Sequence, residues 1–586
     1  MKLSYDFSSI KALDGLTATA LASYYYADNT YERQQKDFKL YTYDKNTDTY
    51  THTGGSYDKK KKNSFNSVEE LMFRIQLNYI REFNKHAINA FVVGEATERK
   101  NPTFSVDSKP TSNSLPLVRS SEFTNLGNGY SETSRAGFLG MVNYVFDDKY
   151  IIEVSGRYDG SYKFAKGNRW GIFPSFSAGW RLSEEEFMKD IPWIYNLKLR
   201  ASWGQLGNER IDLFRYVDLM NLKVIKNDGS ITDYNYPLNG AMQSGAAITA
   251  YNDPNITWET TTMTNVGIDA SLLNGNLDFS FEFFDKRTSD ILRKVTLPDQ
   301  VGGLDGPIRN IGEVSNKGFE LNMGYRNNIG DFRYEVNGNM TFIKNKIVSL
   351  KGQTIIDGMF ILEEGKPIDS YYMLHAIGIF QSEEEIKNSP YQTAATKPGY
   401  LKFEDTNGDG KITEDDRQIR GGVIPKITYG FNINLGYKDW DLGAFFQGVT
   451  DVYTYGDRIG ATPLWFGCGL PEQWLTDAWT PERGTSATLP ILTTYEGCLN
   501  ENFRTNDFWL RNASYLRLKN LQLSYNVPAS FLKSGVVKRL KVFVNAQNLF
   551  TFSPMKDFDP EKNLKGSNWY AYPSVRTYTA GVNVTF

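Results

Sequence analysis

The feature that most constrains this chain is a two-residue alternation of apolar and polar side chains, repeated in hairpin after hairpin. In "KGFELNMGYRNNIGDFRYEVNGNMTFIKNKI", Phe319, Leu321, Met323 and Tyr325 form one apolar row, and after the "NNIGD" turn Phe332, Tyr334, Val336, Met340 and Phe342 form the next. Successive side chains of a strand point to opposite faces, so each segment has one oily face and one polar face. The polar face here (Glu320, Asn322, Arg326, Arg333, Glu335, Asn337, Asn339) is too wet for the interior of a sandwich. The same pattern runs through Ile75, Leu77 and Tyr79 into His86, Ile88, Ala90 and Val92. It recurs in Phe138, Val142 and Tyr144 followed by Tyr150, Ile152, Val154 and Tyr158, and in Phe431, Ile433, Leu435 and Tyr437 followed by Trp440, Leu442, Ala444 and Phe446. The chain ends in mid-strand on "RTYTAGVNVTF", a sticky edge that must pair; in a closed barrel the last strand pairs with the first.

Average composition hides this pattern. A mean hydropathy of -0.46 and a net charge of -3 over 586 residues resemble a soluble protein, and no window of 18 apolar residues exists for a membrane helix. A spanning barrel alternates lipid-facing and lumen-facing positions, so its mean looks soluble too. The balance of 65 basic against 68 acidic residues excludes nucleic acid as the partner, and "KKKK" at Lys59 to Lys62 reads as a solvated loop tip. Cys468 and Cys498 are compatible with one bridge or with two loop thiols. Three histidines without metal-ligand spacing, no nucleophile elbow and no phosphate loop point away from an enzyme.

Very short turns alternate with long connections, at about residues 27–66, 100–131, 207–259, 352–424 and 455–512. Short turns at one end and long loops at the other mark an outer-membrane barrel, with the long loops outside. Ser183 and Glu186 suggest a capping box and one short helix. About 17 spans are expected, an odd number, whereas single-chain bacterial barrels are even. The expectation is therefore a single barrel domain that is the carboxy-terminal part of a longer protein.

"FDDKYIIEVSGRYDGSYKFAKGNRWGIFPSFSAGWRLSEEEF", "LKLRASWGQLGNERI", "NDPNITWETT", "NKGFEL", "DTNGDGKITEDDRQIRG", "YLRLKNLQLSYNVP" and "VFVNAQNLFTF" closely resemble the SusC/RagA family of TonB-linked outer-membrane proteins, in that family's order. The resemblance implies a transmembrane antiparallel β-barrel of the 22-stranded type, here incomplete and without its plug domain. It also implies residence in a Bacteroidetes-type Gram-negative outer membrane, a SusD-like surface lipoprotein as lid, and energy from the TonB complex through the missing amino-terminal region. The implied activity is import of oligosaccharides or peptides by the intact parent. A surface ligand-binding barrel without active transport is the alternative.

Two sets of site residues stand out. In "DTNGDGKITEDD", Asp405, Asn407, Asp409, the Lys411 carbonyl and Asp416 occupy the spacing of a Ca²⁺ loop, a possible structural Ca²⁺ site; a metal-free Asn/Gly turn is the other reading. Trp465, Trp474, Trp479, Trp509 and Trp569 fall in long connections, where indole faces can stack on a sugar or peptide ligand or pack between loops. Trp180, Trp203 and Trp440 fall on apolar rows. Arg157, Asp159, Arg181, Arg200, Arg326 and Glu335 fall on polar ones.

Overall fold

The computed structural model describes residues 1–114, 121–218, 220–221, 223–225, 231–238, 241–248, 250–295, 300, 306–456, 470–493, 501–532, 536–556, 558–561, 565 and 572–586. Cys468, Cys498, Trp465 and Trp569 lie outside the described residues.

Seventeen strands belong to one antiparallel sheet. They are β1 (Lys2–Asp6), β2 (Leu16–Gln35), β3 (Lys60–Phe83), β4 (His86–Pro110), β5 (Ser121–Phe146), β6 (Tyr150–Ser161), β7 (Trp170–Arg181), β8 (Ile194–Asn208) and β9 (Glu259–Leu272). The remainder are β10 (Leu277–Lys294), β11 (Ile308–Ile329), β12 (Phe332–Ser349), β13 (Ile427–Tyr437), β14 (Trp440–Thr450), β15 (Tyr515–Val527), β16 (Arg539–Phe552) and β17 (Thr577–Thr585). The number of spans matches the count from alternation.

Turn chemistry explains the tight ends. Asn84 joins β3 to β4, Asp147 and Asp148 join β5 to β6, Leu273, Asn274 and Gly275 join β9 to β10, Gly330 joins β11 to β12 and Lys438 joins β13 to β14, all at positive φ. Primed turns need that backbone to match the right-handed twist of the strands. The Ser183 capping box does not form. Leu182–Glu184 and Glu186–Met188 are separate 3-10 turns without a side-chain cap, and the Ser183 hydroxyl instead donates to Asn196 Oδ1 at 3.3 Å.

The chain divides into two compact units: Met1–Ser177 with Gly204–Glu259 and Lys294–Arg309, and Ala178–Trp203 with Thr260–Arg293 and Asn310–Phe586. In the first unit β1 to β6 pair in chain order, except that the small hairpin Phe38–Asp44/Thr49–Ser56 is set between β2 and β3. The expected loops at 27–66 and 100–131 are largely strand. β2 to β5 run for 20, 24, 25 and 26 residues, far beyond the roughly 9–11 needed to span a bilayer. Alternation weakens there because both faces are polar, so the period that reveals a half-buried strand is lost.

One face of this unit is apolar across five strands. Ala18 faces Leu77, Leu77 faces Val92, Val92 faces Gly140, and one row along Ala20, Ile75, Gly94, Phe138 and Tyr158 stand in line. These side chains are uncovered: Ile75 is 67 % exposed, Val92 60 % and Phe138 57 %. At the short-turn end Phe83, His86, Phe146 and Tyr150 form a continuous ring contact, with centroids 5.1, 5.1 and 6.4 Å apart.

The second unit repeats the arrangement through β11 to β17. Tyr325, Val336, Ile433, Ala444, Leu521, Ala546 and Tyr578 stand opposite one another in a seven-strand apolar row. Nearer the turns, Phe332, Tyr437, Trp440, Tyr525, Val542 and Val582 make the aromatic-rich row. The reverse face carries Arg326, Glu335, Asn434, Gly443, Gln522, Asn545 and Thr579 in register.

The best-packed core of this unit lies in the long connections and not between sheets. Ile355–Asp357, Phe360–Leu362, Ser370–Met373 and Gln418–Gly422 form a small sheet, and Ala376–Ile379 pairs with Leu401–Phe403. Around them Leu374, Leu401, Phe403 and Ile412 form one buried cluster, and Trp474, Ala478, Leu489 and Trp509 form another.

Candidate functional site

The polar face of the sheet is the first candidate surface, and its charges are internally matched. In the first unit Arg157 holds Asp159 through Nε at 2.9 Å and Nη2 at 2.8 Å, and reaches Glu95 at 3.2 Å. Gly137 makes room for this group, since a Cβ there would sit 2.4 Å from Asp159 Oδ1. In the second unit Arg200 bonds Asp269 at 3.0 Å and also Glu282. Each trio joins one cation to two carboxylates, which hydrates the wall and leaves it mildly acidic.

Within the second unit a hollow is lined by Asn322, Asn337, Asn339, Asn432 and Phe445. Asn337 faces Asn432, Asn432 faces Phe445, and Phe445 is 39 % exposed on the otherwise polar face. Amide groups offer both donors and acceptors beside an open ring, a combination that fits a polar ligand with apolar patches. Sequence reading missed Phe445 because it sits one residue from Phe446, on the wrong parity for the apolar row.

Of the two readings offered for the loop tryptophans, burial of Trp474, Trp479 and Trp509 favours packing between loops. Trp474, Trp479 and Trp509 are 3, 7 and 2 % exposed. Trp509 stacks on Phe503 at 4.9 Å and on Trp474 at 6.2 Å, and its indole N–H donates to Asn502 O at 2.7 Å. Trp479 donates to Gln381 Oε1 at 3.0 Å. Their faces are consumed by the loop core and present nothing to a ligand in this conformation. Trp180, Trp203 and Trp440 remain 37, 36 and 49 % exposed, as apolar-row residues should be.

The residues with Ca²⁺-loop spacing are hydrogen-bonded to their own loop backbone. Asp405 accepts from Gly408 N and Gly410 N at 2.7 and 2.9 Å, Asn407 from Asp409 N at 2.9 Å, and Asp409 from Lys411 N at 2.8 Å. Asp416, fully buried, accepts from Thr406 N and Thr413 N at 2.9 and 2.7 Å and completes a capping box with Thr413. Burial pushes the Asp416 carboxyl up, but the N–H groups of Thr413, Thr406 and Asn407 outweigh it and hold it below the usual range. These bonds order the loop without a cation, and each oxygen keeps a further lone pair. Among the described residues no three His, Cys, Asp or Glu side chains converge as a metal site.

Two polar nodes tie the connections down. Asp507 accepts from Arg420 Nε and Ala376 N at 2.7 and 2.9 Å and pairs with His375 Nδ1 at 2.7 Å. Arg517, 3 % exposed at the start of β15, donates to Thr551 at 2.8 Å, to Asp559 at 2.5 Å and to Glu561. Desolvation pushes Asp559 up, yet Arg517 and the N–H groups of Ser574 and Glu561 overcome it and bring its carboxyl down to about 2. The partners lie 42 and 44 positions away, so no local pattern announces them; the only signal is that Arg517 lies within the phrase "YLRLKNLQLSYNVP".

The resemblance phrases also converge. Phe164 and Phe173 pack on Trp258 with ring centroids 5.4 and 5.5 Å apart, and Trp258 donates to Arg169 O at 3.1 Å. Gly207 lets the Phe173 ring approach, because a Cβ there would lie 2.0 Å from Cζ.

Comparison with known proteins gives a consistent result. A family model described as "TonB dependent receptor-like, beta-barrel" matches residues 2–549. TonB-dependent receptor P26 of Formosa agariphila is 32 % identical over 481 residues, covering 79 % of this chain and 47 % of that protein. TonB-dependent receptor SusC of Bacteroides thetaiotaomicron is 29 % identical over 457 residues, covering 77 % and 43 %. A solved structure of the RagAB peptide transporter shares the fold at a TM-score of 0.78 and 23 % identity, covering 98 % of this chain and 60 % of that one. The chain spans about half the length of the curated relatives it matches.

Proposed function

Since this chain belongs to the TonB dependent receptor-like β-barrel family, we propose that it is the barrel part of an outer-membrane importer of the SusC/RagA kind. The observation that carries the reading is the pair of faces on one long sheet. Apolar rows of two compact units stand exposed, as lipid contacts would, while the reverse rows are polar and hold matched charges. Water-facing sheets bury such rows, and barrels in lipid do not.

In this reading the Asn337, Asn339, Asn432 and Phe445 hollow contacts cargo of the oligosaccharide or peptide class as it passes the wall. The long connections meet a SusD-like surface lipoprotein, and TonB supplies energy to the full-length protein. A barrel that only binds ligand shares every wall feature and differs in lacking energised uptake.

The test is carried out on the full-length protein from its own membrane. Unheated protein should migrate faster than boiled protein, and material isolated with its partner should carry oligosaccharide or peptide detectable by mass spectrometry. Cells lacking TonB should lose uptake of that cargo. Uptake that persists without TonB would leave the ligand-binding alternative. Release of the protein into the aqueous phase by high-pH carbonate would overturn both.

A further inference from the structure

In the second unit the apolar rows of β11 and β12 run on into charged residues. On β12 the apolar row Phe332, Tyr334, Val336, Met340 and Phe342 continues as Lys344 and Lys346, both exposed. Across the ladder Phe342 faces Phe319, Lys344 faces Lys317, and Lys346 faces Ser315. Lys317 bonds Asp285 at 2.7 Å, and Arg287 beside it pairs with Glu313. Lys344 and Lys346 have no ion pair or side-chain hydrogen bond among the described residues.

Their height is fixed by strand geometry. Phe332 belongs to the aromatic row at the short-turn end, and Phe342 lies ten residues further along. At about 3.3 Å per residue and a tilt of about 40°, ten residues climb roughly 25 Å, the height of the apolar band of an outer-membrane barrel. Lys344 and Lys346 therefore stand about 5 and 10 Å beyond the band's outer edge, at headgroup level. Below them Phe281, Phe319 and Phe342 touch in series at 5.9 and 5.4 Å, an aromatic floor for acyl chains.

Resting on the membrane reading above, we propose that the outward face of β10 to β12 binds the phosphate-bearing headgroup of an anionic lipid in the outer leaflet, with Lys344 and Lys346 as its two free cations and Lys317 between them and Asp285. Charge complementarity selects the occupant: two unpaired ammonium groups directly above apolar chain contacts match a phosphate attached to acyl chains, and an uncharged headgroup leaves both cations unmatched. The corresponding rim of the first unit is mixed, with Glu98 and Lys100 paired at 3.0 Å and Tyr130 bonded to Glu132 at 3.0 Å.

The experiment uses the full-length protein in detergent with phosphatidylglycerol or phosphatidylcholine added, read by native mass spectrometry. The wild type should retain phosphatidylglycerol selectively. The double variant Lys344→Gln/Lys346→Gln should weaken that retention about 30-fold, from two charges each worth about a factor of five. Lys39→Gln, on the Phe38–Asp44 strand of the first unit, should leave retention unchanged. Excess inorganic phosphate should not displace the lipid; displacement at equal concentration would reveal a free-anion site and overturn the lipid assignment. Equal retention by the double variant, or no preference over phosphatidylcholine, would overturn it as well. Membrane insertion of both proteins, followed in parallel by heat-modifiable mobility, separates this failure from failure of the barrel reading.

Discussion

Leu77→Arg tests the physical claim on which the rest depends. Leu77 lies on the apolar face of β3, is 48 % exposed, and stands between Ala18 and Val92. It is six residues from the aromatic position Phe83, so it sits roughly 15 Å above the turn-end interface, close to the middle of a band about 25 Å tall. An arginine there must enter hydrocarbon or deform the bilayer around itself, at about 2–4 kcal/mol. In water the same change at a half-exposed site costs within about 0.5 kcal/mol. The two environments thus differ by a factor of about 30 to 900 in the unfolding equilibrium. Asn89→Arg is the matched control, on the polar face of neighbouring β4 and exposed, with an expected change within about 0.5 kcal/mol. Urea unfolding of the full-length protein in phosphatidylcholine vesicles, followed by tryptophan fluorescence, measures both. Equal midpoints for Leu77→Arg and Asn89→Arg would refute the lipid-facing assignment, as would a Leu77→Arg protein more stable than the control.

Other outcomes follow from the connections. Arg517→Met leaves Asp559 unpaired and Glu561 with Lys519 alone, at 2.7 Å, and should cost about 3–5 kcal/mol, read by limited proteolysis of the 553–576 segment. Because Asp559 is depressed to about 2, its contribution is present above the unfolded value near 3.9 and is lost as pH falls toward 2. Solvent screening in the loop layer reduces that contribution to roughly 1–2 kcal/mol. A proteolysis rate flat between pH 5 and pH 2 in the wild type would contradict the clamp. Trp509→Ala should cost about 3–5 kcal/mol by emptying the indole site between Trp474 and Phe503, seen as lower thermal stability, whereas a ligand-stacking residue would lose binding and keep stability. Asp416→Ala should cost about 0.5–2 kcal/mol through its lost cap, and EDTA should leave the wild-type melting temperature unchanged; a Ca²⁺-dependent rise would restore the metal reading.

What the sequence determined by itself was local and periodic. Alternation placed Phe319 to Tyr325 and Phe332 to Phe342 on one face, because strand period is a covalent property of the backbone. The "NNIGD" stretch marked a tight turn, where Gly330 takes positive φ. Those signals were enough for the strand count and the polar wall, while the family came from the resemblance of phrases such as "YLRLKNLQLSYNVP".

Where two segments meet across tens of residues, only the tertiary structure decided. Trp474 and Trp509 are 35 positions apart, and nothing in either neighbourhood tells whether an indole in a long connection faces ligand or another indole. Asp416 had metal-like spacing, but whether its oxygens meet a cation or the Thr406 and Thr413 amides depends on how the loop closes. The length of β2 to β5 was hidden for a related reason: beyond the apolar band both faces are polar, so no alternating row marks the paired strands. Periodicity records what each residue faces in its own strand, and burial records what the rest of the chain brings to it.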